Sequence, residues 1–299
     1  MNCWAELTIA ILAGDEREQE ISRLAAATGA HVRGYGFPVP ARPIAGVEFT
    51  NTAAEALEGA CYAVFPIPGI SSDGSLFAPG HPQPIIPSAE LLSGLTTGAG
   101  IILGTASREL TAAADSLHIT LYEYESDKEL MLLRGPAIIE GAIQAAIQHT
   151  EVTLHGSGVA VVGHGTIGAL LARTLRALGA KVTVAARSPL QRADARASGV
   201  GAIDLEQLPA LAQDIQMIFS TVPAAVVGHD VLKRLPPGSL VMDLAAPPGG
   251  VDLEQARHLG HVALWARGLG RRAPVTVGAS QWLGIRRRIE QHEARKAAA

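Results

Sequence analysis

Val159-Ala160-Val161-Val162-Gly163-His164-Gly165-Thr166-Ile167-Gly168 is a buried-type apolar run that passes without a break into a Gly-x-Gly-x-x-Gly loop. The run before Gly163 has the β-branched, uncharged character of a strand covered on both faces. Behind the loop, Ile167, Leu170, Leu171, Leu175 and Leu178 recur at helical spacing until Gly179. Lys181-Val182-Thr183-Val184-Ala185-Ala186 then reads as a second strand, completing a βαβ unit. Each glycine has a physical reason in such a unit. Gly163 permits the tight turn, Gly165 lets the backbone approach a pyrophosphate, and Gly168 allows close helix–strand packing. The helix N-terminus adds unpaired N–H groups and a partial positive charge. The spacing therefore predicts a dinucleotide site built from Gly163, His164, Gly165, Thr166, Ile167 and Gly168, with His164 as a further donor to the pyrophosphate. A glycine-rich turn that holds no ligand is the bland alternative.

Working outward, the end of the second strand names the nucleotide. NAD enzymes place an acidic residue there to bind the ribose 2′-hydroxyl. This chain has Arg187 followed by Ser188. A carboxylate would repel a 2′-phosphate, whereas a guanidinium binds one bidentately, so the expected cofactor is NADP. An arginine stacking loosely on adenine would suit either nucleotide. Further strands end at Thr221-Val222-Pro223 and at Asp243-Leu244-Ala245. Ligands of open parallel sheets lie beyond the carboxyl ends of strands, which adds Thr221, Val222, Pro223, Leu244 and Ala245 to the expected cofactor contacts. Asp243 reads equally well as a contact or as a structural turn carboxylate.

The first half of the chain repeats the same class of pattern. Leu7-Thr8-Ile9-Ala10-Ile11-Leu12 is a short apolar run before Gly14, and a helix is expected over 15–28. Strands are expected at 31–35, 62–66, 100–104 and 118–122, and helices at 88–94 and 107–116. Buried runs alternating with helices predict an α/β chain of two doubly wound parallel-sheet domains, the first flavodoxin-like and the second a Rossmann domain. At 299 residues the chain is long enough for two domains of ~150 residues each. The junction is placed on a helix expected over 137–149, with Pro136 in its first turn. This makes 1–135 a substrate or partner domain and 136–274 the nucleotide domain. By analogy with two-domain dehydrogenases, the last helix, 275–299, is expected to pack back on the first domain. The stretch 67–87, rich in proline and glycine, breaks the rhythm and reads as a binding loop.

Composition removes several classes. The chain is 48% hydrophobic and 17% charged, with 24 basic and 28 acidic residues, so it lacks the basic field that nucleic acid requires. Arg286-Arg287-Arg288 reads as a solvated helix face. The two cysteines, Cys3 and Cys61, stand in no metal-ligand spacing and suggest a reduced cytoplasmic protein. Neither a signal peptide nor an uninterrupted apolar run of membrane length is expected.

A family pattern is carried by several stretches in order: Ile9-Ala10…Gly14-Asp15, Glu140-Gly141…Ala146-Ile147-Gln148-His149-Thr150, His155-Gly156-Ser157, the glycine loop, Ala186-Arg187-Ser188, and Asp243-Leu244-Ala245…Pro248-Gly249-Gly250. Through these the chain resembles the A subunit of dipicolinate synthase over almost its whole length. The resemblance implies a formate/glycerate-dehydrogenase-like fold and oxidation of dihydrodipicolinate, from the lysine route, to dipicolinate with NADP. It also implies the mother-cell cytoplasm of a sporulating bacterium, and a homodimer or higher homo-oligomer. The partner it implies is the flavoprotein-like B subunit of the synthase. Departures from the family pattern add Arg134, Arg267, Arg271 and Arg272 in loops expected to meet substrate.

A dicarboxylate needs two anion sites. The candidates are Arg134 and Arg267, with Ser71, Ser72 and Gly74 of the Ser71-Ser72-Asp73-Gly74-Ser75 turn. Arg17 is a weaker candidate, with a helix-face salt bridge as the alternative. None of the ten histidines stands in an evident dyad with a carboxylate, and no catalytic base can be named. Two other readings fit the same residues: another two-domain NAD(P)-dependent dehydrogenase of a small carboxylic acid, or a non-catalytic NADP-binding component of a complex.

Overall fold

The computed structural model describes residues 3–298, and the Cys3 side chain lies outside the described residues. The other cysteine, Cys61, is a free thiol. The chain divides into one unit of residues 1–133 and 273–299 and a second of residues 134–272.

The first unit is a six-stranded, all-parallel sheet of β1 (Thr8–Leu12), β2 (His31–Tyr35), β3 (Val47–Phe49), β4 (Tyr62–Val64), β5 (Gly100–Leu103) and β6 (Thr120–Glu123), in the order β3-β2-β1-β4-β5-β6. Without the three-residue edge strand β3 the order is the flavodoxin one, β2-β1-β4-β5-β6. The central strands are apolar on both faces, and Ile9, Ile11, Ala63, Ile101 and Ile102 are buried because helices cover the sheet on both sides. One of those helices comes from the end of the chain. Pro274–Ala298 buries Trp282, Ile285 and Ile289 in the same core as Trp4 and Ile21. It lies tightly on the helix Glu16–Ala26, where a Cβ on Gly278 would stand 2.6 Å from the Arg17 carbonyl oxygen. The 67–87 stretch is tethered, not loose: Leu76 and Ile85 are buried, and the Gly14 N–H donates to the Phe77 carbonyl at 2.7 Å.

The second unit is also a six-stranded parallel sheet, of β7 (Gly158–Val162), β8 (Lys181–Ala185), β9 (Gly201–Ile203), β10 (Met217–Ser220), β11 (Leu240–Asp243) and β12 (Val262–Trp265). Its order, β12-β11-β10-β7-β8-β9, is that of a dinucleotide-binding Rossmann sheet, with the strand order reversing between β10 and β7.

One expectation fails in detail. The helix placed over 137–149 spans Lys128–Gln148, so Pro136 lies inside it and not in its first turn. Its true start is set by Asp127, whose carboxylate accepts the N–H groups of Glu129 and Leu130 at 3.1 and 3.3 Å. The proline costs one backbone hydrogen bond, which a long helix with a buried face tolerates. By length and composition alone this helix could cross a membrane. Its Ile139, Ala142 and Ala146 are instead packed in the core of the second unit.

Candidate functional site

A cavity of about 660 Å³ opens at the carboxyl ends of β7, β8 and β10, at the reversal of strand order. Gly163, His164, Gly165, Arg187, Ser188, Thr221, Val222 and Pro223 line it together. Thr166, Ile167 and Gly168 form the first turn of the helix Thr166–Ala177, which starts at the cavity wall with Gly165 as its N-cap. Leu244 and Ala245 are not among the lining residues. The Leu244 N–H donates to the Ser220 carbonyl at 2.8 Å, and the Ala245 carbonyl accepts from Trp265 Nε1 at 3.0 Å.

The glycines answer a fit test for a dinucleotide. Gly163 has φ +93°, and a Cβ there would meet Thr221 Oγ1 at 2.6 Å. A Cβ on Gly168 would stand 2.3 Å from the Gly163 carbonyl oxygen, so only glycine lets the helix sit this close to the loop. A Cβ on Gly165 would meet nothing within 4 Å, which leaves backbone facing open cavity where a pyrophosphate would approach. Thr221 is occupied: its N–H and hydroxyl both donate to the Val162 carbonyl, at 2.9 and 3.0 Å, and clamp the ends of β7 and β10.

His164 does not offer its ring to the cavity as a donor. The imidazole is buried, and its Nε2 pairs with Asp194 Oδ2 at 2.9 Å. Asp243 resolves to the structural alternative. It is buried and accepts the N–H groups of Ala245, Gly250 and Val251 at 2.9, 2.6 and 3.1 Å. It thereby shapes the turn that contains the cis Pro247–Pro248 bond.

Residues that the sequence alone does not single out complete the cavity beside Arg187. Gln191 and Leu205 line the cavity. Ser188 caps the helix Pro189–Ala197 by accepting the Gln191 N–H, a Ser-Pro start that is legible in the sequence. Arg192 Nη1 donates to the Ala186 and Arg187 carbonyls at 2.8 and 2.7 Å and to Asp204 Oδ2 at 2.5 Å. That guanidinium fixes the turn from which the exposed Arg187 side chain projects. Among the described residues, none that lines the cavity carries a carboxylate.

The expected substrate residues are not among those that line this cavity. In the second unit, Arg134 is buried in the helix Lys128–Gln148, and the Arg267 guanidinium lies 5.9 Å from the centre of the Trp265 ring. Arg272 forms an ion pair with Glu140, a plain structural use of that charge. In the first unit, the 71–75 turn spends much of its donor capacity on itself. The Gly74 N–H closes onto the Ser71 carbonyl at 3.0 Å and the Ser71 N–H onto the Ser75 carbonyl at 2.8 Å. Gly74 is thus a turn former with its donor engaged, and Ser72 remains exposed. Arg17 is buried in a two-pronged pair with Asp15, at 2.7 and 2.9 Å. Burial opposes its charge, but the Asp15 hydrogen bonds and the neighbouring Glu18 and Asp15 charges leave its pKa raised. Beside it, burial pushes the Glu18 carboxyl up to about 7, against the attraction of Arg17 and with the repulsion of Asp15.

A Rossmann sheet with a glycine cradle at its switch point is the architecture of a dinucleotide-binding protein. Consistent with this, residues 135–246 match the model of the D-isomer specific 2-hydroxyacid dehydrogenase NAD-binding domain. Residues 8–125 match the N-terminal domain of the dipicolinate synthase A subunit. The dipicolinate synthase A subunit of Bacillus subtilis is 30% identical over 273 residues, covering 91% of this chain and 92% of that protein. The chain belongs to the family of dipicolinate synthase A subunits. The crystal structure of the family member from Bacillus halodurans matches with a TM-score of 0.85 at 28% identity, covering 94% of this chain and 97% of the other. The A chain from Bacillus subtilis gives 0.84 at 28% identity, covering 97% of both chains.

Proposed function

We propose that this chain oxidises dihydrodipicolinate to dipicolinate with NADP as the hydride acceptor. The substrate would lose a hydride and a proton, and its ring would become aromatic, so the protein's task is orientation and exclusion of water. Family membership across 91% of the chain supports the substrate class. The observation that carries the choice of nucleotide is Arg187 beside Ser188 in a cavity whose described lining has no carboxylate. Bound NADP would supply the hydride-accepting nicotinamide ring. Arg187 and Ser188 would hold its 2′-phosphate, and the Gly163–Gly168 loop with Thr166 and Ile167 would hold the pyrophosphate. Thr221, Val222, Pro223, Leu244 and Ala245 are proposed to face the remainder of the nucleotide.

For the substrate carboxylates, Arg134 and Arg267 are the proposed cationic partners in the second unit. In the first unit, Ser71 and Ser72 are proposed as hydroxyl donors to an anion, with Gly74 shaping their turn. We assign residues 1–135 to substrate or partner binding and 136–274 to the nucleotide. A flavoprotein-like B subunit, a homo-oligomeric state and a place in the mother-cell cytoplasm of a sporulating bacterium complete the reading.

One observation favours a second reading, a nucleotide-binding component whose chemistry lies on a partner. Among the described residues, the only histidine lining the cavity is His164, and its Nε2 is engaged by Asp194. Incubating the purified chain with dihydrodipicolinate and NADP, alone and with a flavoprotein partner, separates the two. NADPH and dipicolinate formed by the chain alone support the first reading. Product only with the partner present supports the second.

A further inference from the structure

His164 is the single side chain between Gly163 and Gly165, in the cavity wall. The ring is buried rather than held toward the ligand space, with its side chain 1% exposed. Nε2 pairs with Asp194 Oδ2 at 2.9 Å, and Nδ1 is buried with no hydrogen-bond partner among the described residues. Asp194 is therefore the one polar contact that holds this ring. The carboxylate belongs to the helix Pro189–Ala197, whose cap Ser188 and first-turn Gln191 line the ribose side of the same cavity. Two residues earlier on that helix, Arg192 grips the Ala186 and Arg187 carbonyls. One nine-residue helix is thus tied to the ribose turn by Arg192 and to the phosphate loop by Asp194.

We propose that the His164–Asp194 pair is a positioning device for the dinucleotide, holding the phosphate loop in its ligand-ready shape at a fixed distance from the ribose turn. This rests on the reading of the cavity as a nucleotide site. A loop with two glycines is free to take many backbone shapes, and ordering it on binding would cost affinity. Nothing packs where a Gly165 side chain would stand, although its carbonyl accepts the Ala169 N–H at 2.9 Å. His164 anchors the loop before the ligand arrives, so the N–H groups around the helix start are already placed. Without Asp194 the buried ring would have no hydrogen-bond partner at either nitrogen, and swinging out to water would carry the loop with it.

The test is calorimetric binding of two ligands, NADP and adenosine 2′-monophosphate, to the full chain and to Asp194→Ala and Asp194→Asn. The smaller ligand carries the 2′-phosphate but no pyrophosphate. Asp194 is 65% exposed, so truncating it opens no core cavity, and the variant should stay folded with a melting temperature lowered by only a few degrees for the stranded imidazole. Asp194→Ala should weaken NADP about tenfold while leaving adenosine 2′-monophosphate within about twofold. Asp194→Asn keeps an acceptor oxygen and should restore most of the NADP affinity. Amide exchange at 163–165 in the ligand-free Asp194→Ala protein should quicken while exchange in β7 and β10 does not change. Equal weakening of both ligands, or unchanged NADP binding, would overturn the proposal. Absence of NADP binding to the unaltered chain would instead overturn the nucleotide reading, and this inference with it.

Discussion

Gly168 and the carbonyl of Gly163 are in such close approach that a single added methyl group would lie 2.3 Å from the carbonyl oxygen. The neighbour is backbone in a turn with positive φ, so it has no flexible side chain to move aside. Gly168→Ala should therefore lift the helix Thr166–Ala177 off its loop. Overpacking of this kind costs about 1–3 kcal/mol of stability. The expected result is a lower urea midpoint together with loss of NADPH fluorescence enhancement. Wild-type nucleotide affinity in this variant would show that the loop does not need its close packing.

Arg187 should discriminate between nucleotides. A hydrogen bond to a charged group is worth about 1.5–3 kcal/mol, so Arg187→Ala should weaken NADP by roughly tenfold or more and leave NAD nearly unchanged. Titration of both nucleotides against both proteins measures this directly. Equal affinity of the unaltered chain for NAD and NADP would contradict the proposed preference.

Glu18 should make stability depend on pH. Its carboxyl is buried and raised to about 7, against an ordinary value of 4.5. Because the folded-state value is the higher one, the stabilisation is fully present below about 4.5 and is lost as pH rises through about 7. The loss is on the order of 3 kcal/mol. Urea unfolding at about pH 5 and about pH 8 should show a larger fall for the wild type than for Glu18→Gln, which cannot ionise. A pH-independent difference between the two would refute the assignment.

Asp243 gathers three backbone N–H groups, those of Ala245, Gly250 and Val251. Removing a buried acceptor strands its donors at about 1–3 kcal/mol each. Asp243→Ala should destabilise the second unit by several kcal/mol and expose the 245–251 turn to proteolysis. A variant as stable and as protease-resistant as the wild type would show that the turn holds itself.

The class of fold is legible because its longest signals are local. The run into Gly163 and the helix after it announce themselves by glycine spacing and apolar period, and β1, β2, β7 and β8 emerge as expected. Three strands escape such a reading, β12 among them, and the other two are short and weakly marked. Val47-Glu48-Phe49 pairs only at a sheet edge, and Gly201-Ala202-Ile203 carries a glycine and an alanine with little strand preference. Pro136 resembles a helix start and hides the first turns of Lys128–Gln148, whereas the cap at Asp127 is the truer signal. The ties at the cavity are not legible at all. His164 meets Asp194 and Arg192 meets Asp204 only after the sheet has formed, and no spacing rule links 164 to 194.

The helix Pro274–Ala298 has a consequence for how the chain is made. The second unit is continuous in sequence and has all its strands once Trp265 has been added. The first unit, although it starts first, waits for Trp282, Ile285 and Ile289 to close its core. Synthesis from the N-terminus therefore delivers the later unit whole while the earlier one is still open on one face. A chain truncated after residue 272 should therefore hold a folded second unit and an unfinished first unit with exposed apolar surface, and chaperone binding should fall when the final helix is restored.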